Sequence, residues 1–264
     1  MRTHEFIRHA SIRLGSAAIL LAVWQILSLF YPPTYLPGPL AVFQEMEKIF
    51  VSGEFAVHMF WTLARVLIGL GISFVVALVM GVLMGLSDFW ETAMDGPVLV
   101  GLAIPGLAWA VVGLMLFGLS EKTQIFAIFM VVTPILAVNI WEGTKALDRK
   151  LVEMAFVFKA NRRMVVRSVV LPQLIPYSLA AVRFGLALAW KTVVIAETFG
   201  ASTGIGFKII ESRELLSMKG VLAWTLSFTV VMIALEFMLL KPIEGRLTVW
   251  RPKRADLNFS QVAK

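Results

Sequence analysis

The chain has 264 residues, 59% hydrophobic and 16% charged, with a formal net charge of +7 and no cysteine. Soluble domains are nearer half apolar and a quarter charged, so this composition needs a second apolar solvent and points to an all-α membrane protein. The lack of cysteine excludes disulfides, a thiol nucleophile and cysteine-based metal sites. The basic residues form no stripe interleaved with aromatics, so membrane lipid, not nucleic acid, is the expected contact.

In chain order, uncharged runs near bilayer length recur. Residues 14–30 form the first, 17 residues or about 26 Å as a helix. Basic residues precede it as in a secretory leader, but it is long for one, and Tyr31-Pro32-Pro33-Thr34-Tyr35 offers no small-residue cleavage site. It reads as a retained span. Residues 40–50 suggest a short amphipathic helix with Leu40, Phe43, Met46 and Phe50 on one face. Further runs cover 66–87, 96–120 and 125–141. A fifth, about 174–198, is interrupted by Arg183, Lys191 and Glu197, and a sixth covers 220 to about 240. The expectation is a single domain over 1–264. It comprises a tail at 1–13, six spans within 14–240, a long loop at 143–172 and a basic tail at 241–264. Ala77, Gly81 and Gly85, and again Ala181, Gly185 and Ala189, recur every four residues, a spacing that lets helix backbones approach closely in lipid.

Six spans put both termini on one side. With the N-terminus inside, the inner segments hold 16 Lys and Arg and the outer segments five, which fits the positive-inside rule. Both termini and the 143–172 loop are then cytoplasmic. Ionisable residues inside spans are functional suspects. Arg183, Lys191 and Glu197, with Arg65 at the head of the second run, are candidates to line a substrate pathway. Two cations eight residues apart on a helix would suit an anion. The stretch from Gly200 to Lys208 lacks the spacing of a phosphate-binding loop. His4, His9 and His58 lack metal-ligand spacing, and no nucleophile, base and acid arrangement stands out. No catalytic residue, metal or cofactor is expected. An ion-coupled carrier and a membrane-embedded enzyme are the competing classes.

The 143–172 loop is too long for a simple connector and too apolar for a disordered one. Asp148 can cap one short helix and Asn161 a second, with Leu171-Pro172 ending it before the fifth span. Its aromatics and basic flanks fit two roles. It could lie on the anionic inner leaflet or insert into a groove on a cytoplasmic partner.

The loop also resembles the EAA loop of binding-protein-dependent ABC importer permeases, whose pattern is E-A-A, three residues, G, nine residues, then I-x-L-P. Here it reads Glu153-Met154-Ala155, Phe156-Val157-Phe158, Lys159, nine residues, then Val169-Val170-Leu171-Pro172. The spacing is kept, while Met154 replaces an alanine and Lys159 the glycine. A glycine would permit a left-handed turn there, and lysine adopts one at a steric cost; Asn161 is the alternative place for it. Tyr35-Leu36-Pro37-Gly38-Pro39, Thr62-Leu63-Ala64-Arg65-Val66, Ala196-Glu197 and Gly200-Ala201-Ser202 with Gly204-Ile205-Gly206 resemble the nitrate, sulfonate and taurine branch. The resemblance implies a bacterial inner-membrane permease. It implies a homodimer with a second permease copy, cytoplasmic ABC ATPase subunits and a periplasmic or lipid-anchored solute-binding protein. ATP hydrolysis would belong to the partner, so the chain itself is no enzyme. Glu153, Ala155, Phe156, Phe158, Lys159, Leu171 and Pro172 would make the ATPase-coupling element. Phe156→Asp or Glu153→Lys would then uncouple hydrolysis from transport. The implied cargo is a small nutrient anion such as a sulfonate, taurine or nitrate, or alternatively a neutral or heterocyclic solute.

Overall fold

A computed structural model describes residues 2–235 and Met238. The expected end of the sixth run and the basic tail at 241–264 lie outside the described residues. The chain is built from helices: α1 (Arg2–Phe30), α2 (Pro39–Val51), α3 (Glu54–Leu86), α4 (Asp88–Ala103), α5 (Gly106–Phe117), α6 (Glu121–Lys145), α7 (Arg149–Val157), α8 (Arg162–Val165), a π-helical turn (Val166–Val170), α9 (Leu171–Gly200), α10 (Ile205–Glu214) and α11 (Met218–Leu235). Among the described residues, four helical stretches are long and apolar enough to cross a membrane, and the bent pair α4–α5 meets the same test only when its two helices are taken together. The apolar part of α1, Gly15–Phe30, is shorter.

Three expectations are corrected. The run at 96–120 is not one straight helix, because α4 and α5 meet at a 96° bend. Pro105 lacks an amide donor and disfavours helical backbone at the preceding residue, and Ile104 is extended (φ −76°, ψ 124°). Leu171-Pro172 does not end a helix. Helix continues from α8 into α9, with the Leu171 N–H bonded to the Val166 carbonyl across the π turn. A widened turn relieves the clash between a proline ring and the carbonyl four residues back, and the Gln173 side-chain amide donates to the Val169 carbonyl at 3.1 Å. In α2 the buried residues are Pro39, Val42, Met46 and Ile49, whereas Leu40, Phe43 and Phe50 are exposed. The Phe50 ring instead lies 4.5 Å from that of Phe55.

The chain divides into two compact units. Of the described residues, the first draws on 2–65, 110–124 and 193–231, the second on 66–109, 125–192, 232–235 and Met238. Within the second, the small-residue stripes set the packing. A Cβ on Gly81 would lie 2.8 Å from the Ala137 carbonyl, one on Gly69 would meet Ile128 at 2.8 Å, and one on Gly85 would overlap Thr144. Partner numbers rise together along both helices, so α3 and α6 run parallel and the chain between them must cross back. The bent α4–α5 pair supplies that return. On α9, Gly185 abuts Leu136 and Val132, while Tyr177 abuts Gly143, so α9 runs antiparallel to α6. Within the first unit, the indole N–H of Trp24 donates to the Pro37 carbonyl at 3.1 Å. That bond ties α1 to the turn that opens α2.

Candidate functional site

The loop between α6 and α9 is held by short polar contacts. Lys145 at the end of α6 pairs with Glu91 at 2.7 Å. The Asp148 amide donates to the Gln173 side chain at 3.0 Å, and the Asp148 carboxylate accepts the Lys150 amide at 2.9 Å, capping α7. The Asn161 side chain accepts the Met164 amide at 2.8 Å, capping α8. Both caps satisfy amides that a helix start leaves without partners. Between the two helices Lys159 takes φ 56°, and the Ala160 amide reaches back to the Ala155 carbonyl at 3.0 Å. This is the wrap of a helix end that turns left-handed. The turn stays at the patterned position and does not move to Asn161.

A groove runs between α7 and the π turn, lined by Leu151, Met154, Ala155, Ser168, Val169 and Pro172. Beyond it Val157 and Phe158 are 79% and 78% exposed. Glu153, Lys159, Leu171 and Pro172 are exposed and Ala155 is half-buried. The Phe156 side chain lies outside the described residues. The loop is thus locally ordered while an aliphatic and an aromatic side chain remain uncovered.

A second group lies in the first unit, where α9 ends and α10 begins. Arg65 of α3 is 2% exposed and Glu197 of α9 is 1% exposed, and they pair at 2.6 Å. Arg65 donates every N–H it has. Nε and Nη2 grip the two oxygens of Glu121, Nη1 reaches Glu197 and the Thr203 carbonyl, and Nη2 also reaches the Thr203 hydroxyl. A guanidinium has five such donors, so none is left over. The Thr62 hydroxyl lies 2.8 and 3.0 Å from the Glu197 oxygens and accepts the Ile205 amide at 2.9 Å. The Gly206 amide donates to Glu197 at 2.8 Å. The carboxylate therefore sits on the first amides of α10, where backbone donors and helix dipole both favour negative charge.

The Gly204 amide donates to His58 Nδ1 at 3.0 Å, which leaves the proton of a neutral ring on Nε2. That ring packs against Phe207 and edge-on to Trp224, centroids 6.2 and 5.7 Å away. Lys208 pairs with Glu211 at 2.5 Å and Glu54 at 3.4 Å. Burial works against its charge, but the two carboxylates outweigh burial and hold its pKa above the usual lysine range.

Of the residues expected to face a pathway, Arg65 and Glu197 are thus brought together and buried. Arg183 and Lys191 are not part of this group. Both are exposed on α9, on a stripe with Phe184, Ala187 and Ile195.

A family model described as "binding-protein-dependent transport system inner membrane component" matches residues 56–240. The chain belongs to this family. The permease is 27% identical over 250 residues to the taurine transport system permease protein TauC of Escherichia coli, covering 92% of this chain and 90% of that one. It is 31% identical to the putative aliphatic sulfonates transport permease protein SsuC of the same organism, over 75% and 76% of the two chains. With the nitrate import permease protein NrtB of Synechocystis it shares 29% identity, over 73% of each. In fold it matches a chain of the MetNI methionine ABC transporter in an inward-facing conformation, with TM-score 0.65 at 18% identity, over 77% of this chain and 98% of that one. The resemblance drawn from the loop and flanking motifs therefore holds, as does the membrane-helical class.

Sequence reading of the permease missed Thr62, Glu121, Thr203 and His58. Thr62 stands three residues before Arg65, one helical turn away on the same face, a local signal that could have flagged it. Glu121 and Thr203 carry no such signal, since 56 and 138 residues separate them from Arg65.

Proposed function

We propose that this permease subunit works in an ATP-driven importer of a small nutrient anion, of the sulfonate, taurine or nitrate kind named in its relatives. The α7–α8 loop is the docking element for a separate cytoplasmic ATPase. Glu153, Ala155, Phe156, Phe158, Lys159, Leu171 and Pro172 form its working surface. Both termini and this loop are cytoplasmic in an inner membrane, and two copies of the single 264-residue domain enclose the pathway. A solute-binding protein delivers cargo from outside. ATP closes the cytoplasmic subunits, the loops move with them, and the spans switch between inward and outward access.

The observation that carries this reading is the loop itself, capped at both helix starts and held through a left-handed Lys159, yet exposing Val157 and Phe158. Uncovered apolar side chains on an ordered element mark a surface that a partner covers. Within α9, Arg183 and Lys191 are the pathway candidates, because charged residues in spans face a bundle interior or a water-filled cavity. The test is reconstitution of the permease with its cognate ATPase and solute-binding protein, with taurine, an alkanesulfonate and nitrate as cargo. Uptake should continue when ion gradients are collapsed and cease when ATP is withdrawn. Uptake that follows the ion gradient without ATP would overturn the reading.

A further inference from the structure

We propose that Arg65 is a positioning residue and not a cargo contact, forming a clasp with one fixed arm and one releasable arm. An anion in a pathway would need at least one guanidinium N–H, and all five are donated to Glu121, Glu197 and Thr203. The residue is also 2% exposed. Its charge is spent inside the protein.

The two carboxylates it holds are in different situations. Glu197 is buried and bonded further by the Thr62 hydroxyl and the Gly206 amide. Separating it from Arg65 would strand a charge away from water, the costly way to break an ion pair. Glu121 is 50% exposed, and among the described residues Arg65 is its hydrogen-bond partner. Water can replace that partner for Glu121, and Arg65 keeps its pairing with Glu197, so parting there strands no carboxylate and costs less than separating Arg65 from Glu197. Glu197, Thr62, Thr203 and the start of α10 therefore stay with Arg65 as one block. The first turn of α6, which carries Glu121, is the element that parts from α3 when this end of the unit moves. Gly204 and Gly206 make the fixed arm tight, because a Cβ on Gly204 would overlap the Glu197 carboxylate and one on Gly206 the Val194 carbonyl.

The absence of cysteine makes a distance measurement clean. Spin labels at Phe60→Cys and Lys122→Cys read α3 against α6, and labels at Phe60→Cys and Arg213→Cys read α3 against α10; all three positions are exposed. The full chain in lipid nanodiscs, native or Glu121→Gln, is measured by double electron–electron resonance. Glu121→Gln should add or enlarge a longer-distance population for the first pair and leave the second unchanged. Its melting midpoint should stay within about 2 °C of native, while Glu197→Gln lowers the midpoint by about 10 °C. An unchanged first pair, or a second pair that shifts equally, would overturn the clasp. No partner subunit is needed, so failure here is separable from failure of the importer reading. In the complete importer, the cargo concentration giving half-maximal uptake should stay within about twofold of native in Glu121→Gln while the maximal rate changes. A rise of about tenfold in that concentration would make this end a cargo site and refute the proposal.

Discussion

Two turns in this permease meet the same backbone demand in opposite ways. At Lys159 the chain takes φ 56° with an exposed lysine, and at Gly204 it takes φ 113° with a glycine pressed against Glu197. A left-handed residue other than glycine costs roughly 1–2 kcal/mol, and open surroundings at Lys159 let the fold absorb it. At Gly204 no side chain fits at all. The difference extends to the regions around them. The Arg65 group is buried and its charges are paired with protein partners, so it is complete within the chain. The α7–α8 loop is internally capped but leaves Val157 and Phe158 uncovered, which is what the proposed docking role needs.

The largest effect that would break this comparison is at Arg65. Arg65→Met should cost about 3–5 kcal/mol, because it leaves Glu197 as an uncompensated buried charge. Thermal unfolding in detergent reads it, and a native-like midpoint would show that the group contributes little. Gly204→Ala comes next, at about 2–4 kcal/mol, combining an incompatible backbone angle with overpacking. The same assay checks it.

Lys159→Gly should do the reverse and stabilise by about 1 kcal/mol, since it removes the left-handed penalty where nothing crowds the turn. Limited proteolysis of the loop is the sensitive measurement, and faster cleavage would contradict it. The smallest effect belongs to Glu45 on α2. Its bond to Lys219, against the opposing pull of burial and with help from Lys48, holds its pKa below the usual carboxylate range. Stability from a lowered carboxylate pKa is present above the unfolded value, about 4.3 for glutamate, and is lost as pH falls through the folded one. Glu45→Gln should therefore melt slightly earlier than native at pH 7 and together with it at acid pH.

Much of the fold was legible because lipid imposes long apolar runs, and those runs need only counting. The break at Ile104–Pro105 was harder to read, since proline within a span can kink it or be absorbed. Pro105 turned the chain by 96°, whereas Pro172 entered a continuous helix through the π turn. The caps at Asp148 and Asn161 were readable because a cap is a local contact of two or three residues. Local spacing also carried the resemblance of the loop. Arg65 and Glu197 could be singled out as charges beside or within apolar runs, but their pairing spans 132 residues and leaves no periodic trace. Amphipathic spacing in α2 misplaced its buried face because Leu40, Phe43 and Phe50 fit a stripe with Met46, yet the fold buries only Met46 of the four and turns the other three outward.

The central claim is that the loop around Phe158 grips a nucleotide-hydrolysing subunit. A single Phe158→Cys in this cysteine-free chain, treated with a bifunctional thiol-to-amine reagent in membranes that carry the whole importer, tests it most directly. The account predicts one crosslinked product containing the ATPase, formed from the cytoplasmic side and lost in Glu153→Lys. A Phe158→Cys that captures no ATPase, or that reacts with a membrane-impermeant thiol reagent added outside intact cells, would contradict it.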